Sequence, residues 1–181
     1  MNISIGSLAA VPALSRPDLL AAPVATALAA LGEAEAAAVG VAEIDPEMAD
    51  TAAFCERYGV SLAESANCVV IAARRGGDTT YAACMVTATA RADVNGLARR
   101  HLGARKASFG PVDTITSLTG MEYGGITPVG LPAGWPVLVD AAVAKLASIV
   151  IGSGIRGSKL WLPGRVLGDL PGAEVLPGLG V

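Results

Sequence analysis

The apolar positions of this chain fall into short runs, most of them closed by glycine, proline or a charged residue. Cys68-Val-Val-Ile-Ala-Ala73 reads as a strand and Arg74-Arg-Gly-Gly-Asp78 as a hairpin-type turn. Thr79 to Thr89 then reads as the returning strand, so the pattern predicts an antiparallel pair. Leu19 to Leu31 has the spacing of an amphipathic helix ended by Gly32, with Pro23 either in its first turn or breaking it. Val39 to Ala42 has strand character. Asp45-Pro46-Glu47 is a helix start, with an N-cap acid and a proline at the first helical position, and that helix runs to Gly59. Asp93 caps a second helix, Val94 to Leu102, and Gly103 stops it. Ala107 to Phe109 is a short strand, and Pro111 opens a helix that reaches Leu118 and closes at Gly120. Pro136 to Asp140, Ser148 to Gly154 and Ser158 to Leu162 read as strands. Ala141 to Leu146 and Arg165 to Leu170 read as short helices between and after them.

Strands interleaved with short helices, at least one hairpin and no internal repeat predict an α/β (α+β) fold. Its core is a mixed, largely antiparallel central sheet flanked by helices. Residues 1–42 read as an Ala-rich, helical N-terminal extension, residues 43–172 as the domain proper, and 173–181 as a Pro/Gly-rich tail. With 181 residues, one domain with an extension is the expected organisation.

Composition raises one question and removes others. At 52% hydrophobic residues and a mean hydropathy of +0.54, a membrane span has to be considered. The most apolar stretch, Leu8 to Leu31, is interrupted by Pro12, Arg16, Pro17, Asp18 and Pro23, so no clean run of ~20 apolar residues exists there. No basic segment precedes an apolar one at the N-terminus, so no secretory signal and no membrane partner are expected. Three cysteines (Cys55, Cys68, Cys84) without C-x-x-C spacing fit reduced thiols in a cytoplasmic protein, and a single histidine argues against zinc. The net charge of −3 predicts no global attraction to nucleic acid. The charges are uneven, however. Glu33 to Glu64 holds eight of the sixteen acids and one base, whereas Arg74 to Lys106 holds seven of the thirteen bases and two acids. That second stretch makes either an ordinary solvated face or a local basic surface able to meet phosphates.

The candidate chemistry centres on Thr119-Gly-Met-Glu-Tyr-Gly-Gly-Ile-Thr-Pro-Val-Gly-Leu131. Four glycines and a proline in this stretch form either a tight connection or a loop that points backbone N–H groups at a carbonyl, carboxylate or phosphate. Neither G-x-x-x-x-G-K-[ST] nor a strand-borne G-x-G-x-x-G is present, which sets aside the two commonest nucleotide loops.

Taken in order, the strand pair, the Asp93 helix, "TGMEYGGITPVGL", "PVLVD" and "GSGIRG" resemble the YbaK/EbsC family. That family includes free-standing aminoacyl-tRNA editing proteins related to the insertion domain of prolyl-tRNA synthetase. The likeness runs over residues 46 to 170. It rests on the G-x-x-x-P pattern of Gly124 to Pro128, on Asp140 at the next strand end, and on Ser153-Gly154-Ile155-Arg156 at the one after. The resemblance implies a deacylase that hydrolyses the ester of a mischarged tRNA carrying a small amino acid, with no metal and no cofactor. A pocket separates substrates differing by one methylene by only about 1–3 kcal/mol, so a second, hydrolytic site has a physical purpose. An aminoacyl-tRNA acceptor end is the implied partner, with a homodimer or a synthetase association beside it.

The resemblance makes Asn67, Gly124, Gly125, Ile126 and Thr127 the candidate catalytic residues. A backbone N–H pair of the loop would form the oxyanion site, to which Pro128 cannot contribute. Pro128, Gly130, Asp140, Ser153, Gly154 and Arg156 are the candidate substrate-binding residues, and Arg91, Arg99, Arg100, Arg105 and Lys106 the candidate tRNA contacts. Asp140 is either a site carboxylate or a strand-end cap, and Arg156 either clamps the terminal adenosine or pairs with Asp140. Glu122 and Tyr123 either line the pocket or face solvent. Cys68 reads as a buried strand cysteine rather than a nucleophile, and His101 as a surface or phosphate-proximal residue among arginines rather than a catalytic one. In one position the chain departs from the family pattern. Where that pattern has a lysine opening the first hairpin strand, this chain has Asn67, which can orient a carbonyl or water but brings no charge. A compensating cation would come from Lys106 or Arg91. The alternative function is therefore a non-catalytic module that binds an aminoacyl-adenosine, a tRNA end or a protein partner.

Overall fold

The computed structural model describes residues 3–181. In chain order the elements are β1 (Ile3–Ile5), β2 (Leu8–Pro12), α1 (Ala22–Ala29), α2 (Glu33–Ala37), β3 (Gly40–Glu43) and α3 (Thr51–Tyr58). Then come β4 (Ala66–Arg75), β5 (Asp78–Thr87), a π-helical turn Val94–Ala98 running into α4 (Arg99–His101), β6 (Lys106–Phe109) and α5 (Val112–Thr119). The chain ends with β7 (Val137–Asp140), α6 (Ala141–Ala144), β8 (Ile149–Gly152), β9 (Ser158–Leu162), α7 (Gly164–Gly168) and β10 (Ala173–Leu176).

The strands form two five-stranded sheets rather than one. The first, β1-β2-β3-β9-β8, is antiparallel throughout. The second, β10-β7-β5-β4-β6, is mixed: β4 runs antiparallel to β5 and β6, while β7 lies parallel to β5 and β10. A parallel bridge between Ser65 and Val150 joins the sheets where β4 begins and β8 runs. The β4–β5 hairpin is the one expected. Gly76 and Gly77 both take positive φ, +60° and +94°, as a tight turn matching the strand twist requires.

Strand periodicity divides the interior. Val137 and Val139 enter the main core with Met85, Ile149, Ile151, Leu160 and Leu162, while Leu138 between them enters a second cluster with Ile71, Cys84 and Leu179. The run "PVLVD" is apolar on consecutive positions because β7 is covered on both faces. A further cluster lies under α3, where Phe54, Cys55 and Tyr58 meet Ile44, Val60 and Val150.

The two chain ends differ from their expected form. The segment expected as a helical extension carries β1 and β2 as well as α1. β2 pairs with β3, Val11 opposite Val41. Pro12 and Pro17 prevent one continuous helix there, and Pro23 occupies the first turn of α1. Val24 and Leu28 are buried in the main core. At the other end, β10 extends the second sheet and Leu179 is fully buried. Arg91 and Val181 exchange two backbone hydrogen bonds.

Because α1 forms a wall of the main core, Leu28→Ala is expected to cost ~3 kcal/mol of unfolding free energy. Urea denaturation checks this. A loss below about 0.5 kcal/mol would mean that α1 is an appendage.

Candidate functional site

The starts of α3 and β4, the end of β8, and the loop after α5 surround one cleft of about 590 Å³. Its walls are mostly small or apolar: Ala49, Ala52, Leu62, Ala66, Cys68, Val69, Ala88, Ile126 and Gly152. Its polar groups are Asp50, Thr51, Asn67, Tyr123, Arg156 and Lys159.

Each polar group has a local reason for its position. Asp50 caps α3 by accepting from the Ala52 N–H at 3.1 Å, so the positive end of that helix opens on the cleft. Thr51, in the first turn, donates its hydroxyl to Asn67 Oδ1 at 2.7 Å. With its oxygen occupied, Asn67 has its amide NH2 left as donor.

The glycine loop is held by a neighbouring turn. Glu122 N–H donates to Gly154 O at 2.9 Å, Gly154 N–H donates to Gly125 O at 2.7 Å, and Arg156 N–H donates to Glu122 Oε2 at 2.7 Å. A side chain on Gly125 would strike the backbone of Ile155, and one on Gly152 would strike Gly125 O, so this close approach requires glycine on both sides. The Gly125 N–H is taken up by Glu122 O at 2.9 Å. Those of Gly124 and Ile126, both in the cleft wall, make no hydrogen bond among the described residues. Arg156 stands at the rim, its guanidinium donating to Tyr123 O at 3.2 Å and Pro46 O at 2.9 Å.

Lys159 is the residue that sequence reasoning missed. It projects from β9 into the cleft wall, is 6% exposed, donates from Nζ to Ala49 O at 2.7 Å, and lies 5.4 Å from the Phe54 ring centroid. Burial depresses its pKa from 10.5 to about 8. Cys55 and Asp50 act against that shift, and Arg156 adds to it. The available signal was alternation. In Ser158-Lys-Leu-Trp-Leu162 the lysine shares a face with Trp161, so it had to be buried beside it or bent away. Lys106 and Arg91, the cations expected to compensate for Asn67, do not line the cleft.

The other cleft and sequence candidates divide sharply. Asn67, Gly124, Ile126 and Arg156 line the cleft, and Gly125 shapes it from behind. Thr127 is fully buried, its hydroxyl unpaired among the described residues, and it is not in the cleft wall. Pro128 and Gly130 line a separate apolar groove with Leu31, Trp135 and Leu170. Asp140 serves as a cap. One oxygen accepts from the Ala142 N–H and the other from the Gly180 N–H, tying the C-terminal segment to β7; among the described residues it pairs with no arginine. Ser153 is buried in a knot with Ser158, whose hydroxyl reaches Leu19 O. Gly154 acts through its backbone bonds to the loop. Cys68 is held as a thiol, since burial, with Cys84 beside it, pushes its pKa up, so it makes a poor nucleophile.

Arg99, Arg105 and Lys106 line a second groove of about 390 Å³ with Arg74, Asn95 and Ser108. Arg100 and Arg91 are exposed outside it, and His101 pairs with Glu174 at 3.0 Å. Among the described residues no cluster of three His, Cys, Asp or Glu side chains is placed to hold a metal ion, and no helix is long and apolar enough to cross a membrane.

The family model described as the aminoacyl-tRNA editing domain matches residues 45–170. The chain belongs to that family. The match takes in every residue of the cleft. A crystal structure of a protein proposed as a trans-editing enzyme for prolyl tRNA synthetase superposes with a TM-score of 0.71 at 20% identity, covering 87% of this chain and 97% of that one. A scaffold protein used for computational grafting of linear epitopes gives 0.72 at 21% identity, with 87% and 95% covered. A third structure, of a hypothetical protein, gives 0.71 at 19%, with 82% and 95% covered. At such identities these likenesses speak for the fold, and they bear out the mixed α/β reading.

Burying the Lys159 ammonium should destabilise the folded state. With a folded pKa near 8 and an unfolded one near 10.5, the unfolded chain binds more protons between those values. Stability should therefore rise with pH across that window, the full penalty applying below pH 8. Lys159→Met is expected to raise stability at pH 7 by ~1–3 kcal/mol, with the difference from wild type shrinking toward pH 10.5. Urea denaturation at pH 7 and pH 10 measures it, and a variant less stable than wild type at both would contradict the assignment.

Proposed function

We propose that this protein is a trans-acting aminoacyl-tRNA deacylase that hydrolyses the ester of a mischarged tRNA carrying a small amino acid. The observation that carries the reading is the pair of free N–H groups on Gly124 and Ile126, set in a cleft whose other walls are alanine-rich. Water attacks the ester carbon, the carbonyl oxygen gains negative charge, and the ribose oxygen leaves with a proton. Donors fixed in advance stabilise that charge without having to reorganise. The Asn67 amide, oriented by Thr51, is the group proposed to position the acyl carbonyl or the water. Leu62, Ala66, Cys68 and Ala88 supply the small and apolar wall against which a small side chain would rest.

The basic groove of Arg74, Arg99, Arg105 and Lys106 is proposed to take phosphates of the acceptor stem. If all four meet phosphates, affinity should fall on the order of 100-fold between 50 and 200 mM salt.

The test is release of amino acid from tRNAs charged with alanine, serine, threonine, cysteine or proline. One of these is expected to be released. Gly125→Pro removes the N–H held by Glu122 and should reduce the rate by about 100-fold or more. Asn67→Ala is expected to slow release, with a smaller effect on tRNA binding. Silence of the wild-type protein across the panel would sink the deacylase reading. A gain of activity in Asn67→Lys from a silent parent would mark a non-catalytic binding module instead.

A further inference from the structure

Lys159 is a buried cation in a cleft wall with no acid paired to it. Its ammonium has three N–H donors. One reaches Ala49 O, and the other two find no acceptor among the described residues. No carboxylate forms an ion pair with it there, although Asp50 lines the same cleft. A buried ammonium with unused donors is costly unless something else accepts from it. The N-terminal end of α3 and the Arg156 guanidinium add positive potential on the same cavity. A structural role would call for a partner such as Asp50 within reach, or for an aliphatic residue like the others that α3 covers on this face.

We propose that Lys159 binds the acyl carbonyl oxygen of the substrate, donating to it in the ground state and more strongly as it becomes an oxyanion. This rests on the deacylase reading and deepens it by naming the charged group at the reacting carbon. Depth decides between the acyl group and a phosphate. Arg156 stands at the rim, where it has backbone carbonyls and solvent for company, whereas Lys159 is 6% exposed and sits against Ala49 and Phe54. A phosphate would have to be stripped of water to reach it, while the aminoacyl end is the part of the substrate that enters the floor. Hydrolysis stays balanced without a proton from this lysine. The water oxygen bonds to the carbonyl carbon, the carbon–ribose oxygen bond breaks, and the proton of the water ends on the ribose oxygen. Lys159 keeps its proton and acts by charge and hydrogen bonding.

Binding and turnover together test it. The probe is 3′-aminoacylamino-3′-deoxyadenosine, with an amide in place of the ester, carrying the amino acid released in the panel, or alanine if none is. 3′-amino-3′-deoxyadenosine is the control without the acyl group. For Lys159→Met, calorimetric affinity for the acylated probe is expected to fall by about ten-fold or more, with the control unchanged. On charged tRNA, KM should rise by about the same ten-fold, and kcat should fall by a further ~100-fold as the part of the contact made only with the oxyanion is lost. Lys159→Arg should restore part of both, since it returns a charge and donors to the same place. A folded Lys159→Met protein that binds the acylated probe as wild type does, or turns over at the wild-type rate, overturns the proposal and leaves the deacylase reading standing. Loss of probe binding in the variant of a wild-type protein that releases no amino acid has the opposite sense. It supports the carbonyl contact and rejects the hydrolase.

Discussion

The contact on which this site depends is the backbone zipper between residues 122–125 and 152–156. Glu122 N–H to Gly154 O and Gly154 N–H to Gly125 O join the end of the first sheet to the loop that precedes β7 in the second. The bonds form only because Gly125 and Gly152 let the two backbones meet without a Cβ between them. Gly125 N–H and Gly125 O are both engaged, while the neighbouring N–H groups of Gly124 and Ile126, residues of the cleft wall, have no partner among the described residues. The glycine loop is thus held in place through its backbone.

Around that junction the polarity is unbalanced. The start of α3, Arg156 and Lys159 contribute positive potential, while Asp50, an acid in the same walls, is engaged in capping the helix. A cavity so arranged is complementary to an oxygen that becomes negative during a reaction. Stability argues against such an arrangement, because a hydrophobic side chain at 159 would pack on Phe54 at no electrostatic cost. Sites that keep a destabilising group commonly do so because ligand binding uses it.

Much of the fold was legible because local chemistry and tertiary structure agreed. The Gly76-Gly77 hairpin, the Asp93 cap and the twice-covered strand β7 all follow from residues close together in sequence. The chain ends were harder, since β2 and β10 are strands only by virtue of the neighbours β3 and β7 that they pair with. The site was legible as a region and less so as a set of residues. "GGITP" marks the right loop, yet Thr127, Pro128 and Gly130 point their contacts into the interior or the neighbouring apolar groove. Asp140 stays open between site acid and strand-end cap until Gly180, forty residues later, is found bonded to it.

Lys159 illustrates the remaining gap. Alternation along β9 places it with Trp161, on the face that α3 covers, but no local rule says that this face also opens on the cleft. That knowledge needs the Ser65–Val150 bridge, which brings the start of β4 to β8, and the Asn67–Thr51 bond, which brings it to α3. The cation thus comes from a strand of the first sheet, whereas Asn67, in the same cleft wall, comes from the second. The consequence is physical rather than positional. A lysine held against Phe54 and Ala49 is oriented by packing, loses little rotamer freedom on binding, and presents its charge at a fixed depth. An ammonium on an exposed strand end would present neither the depth nor the dry surroundings that make one hydrogen bond count.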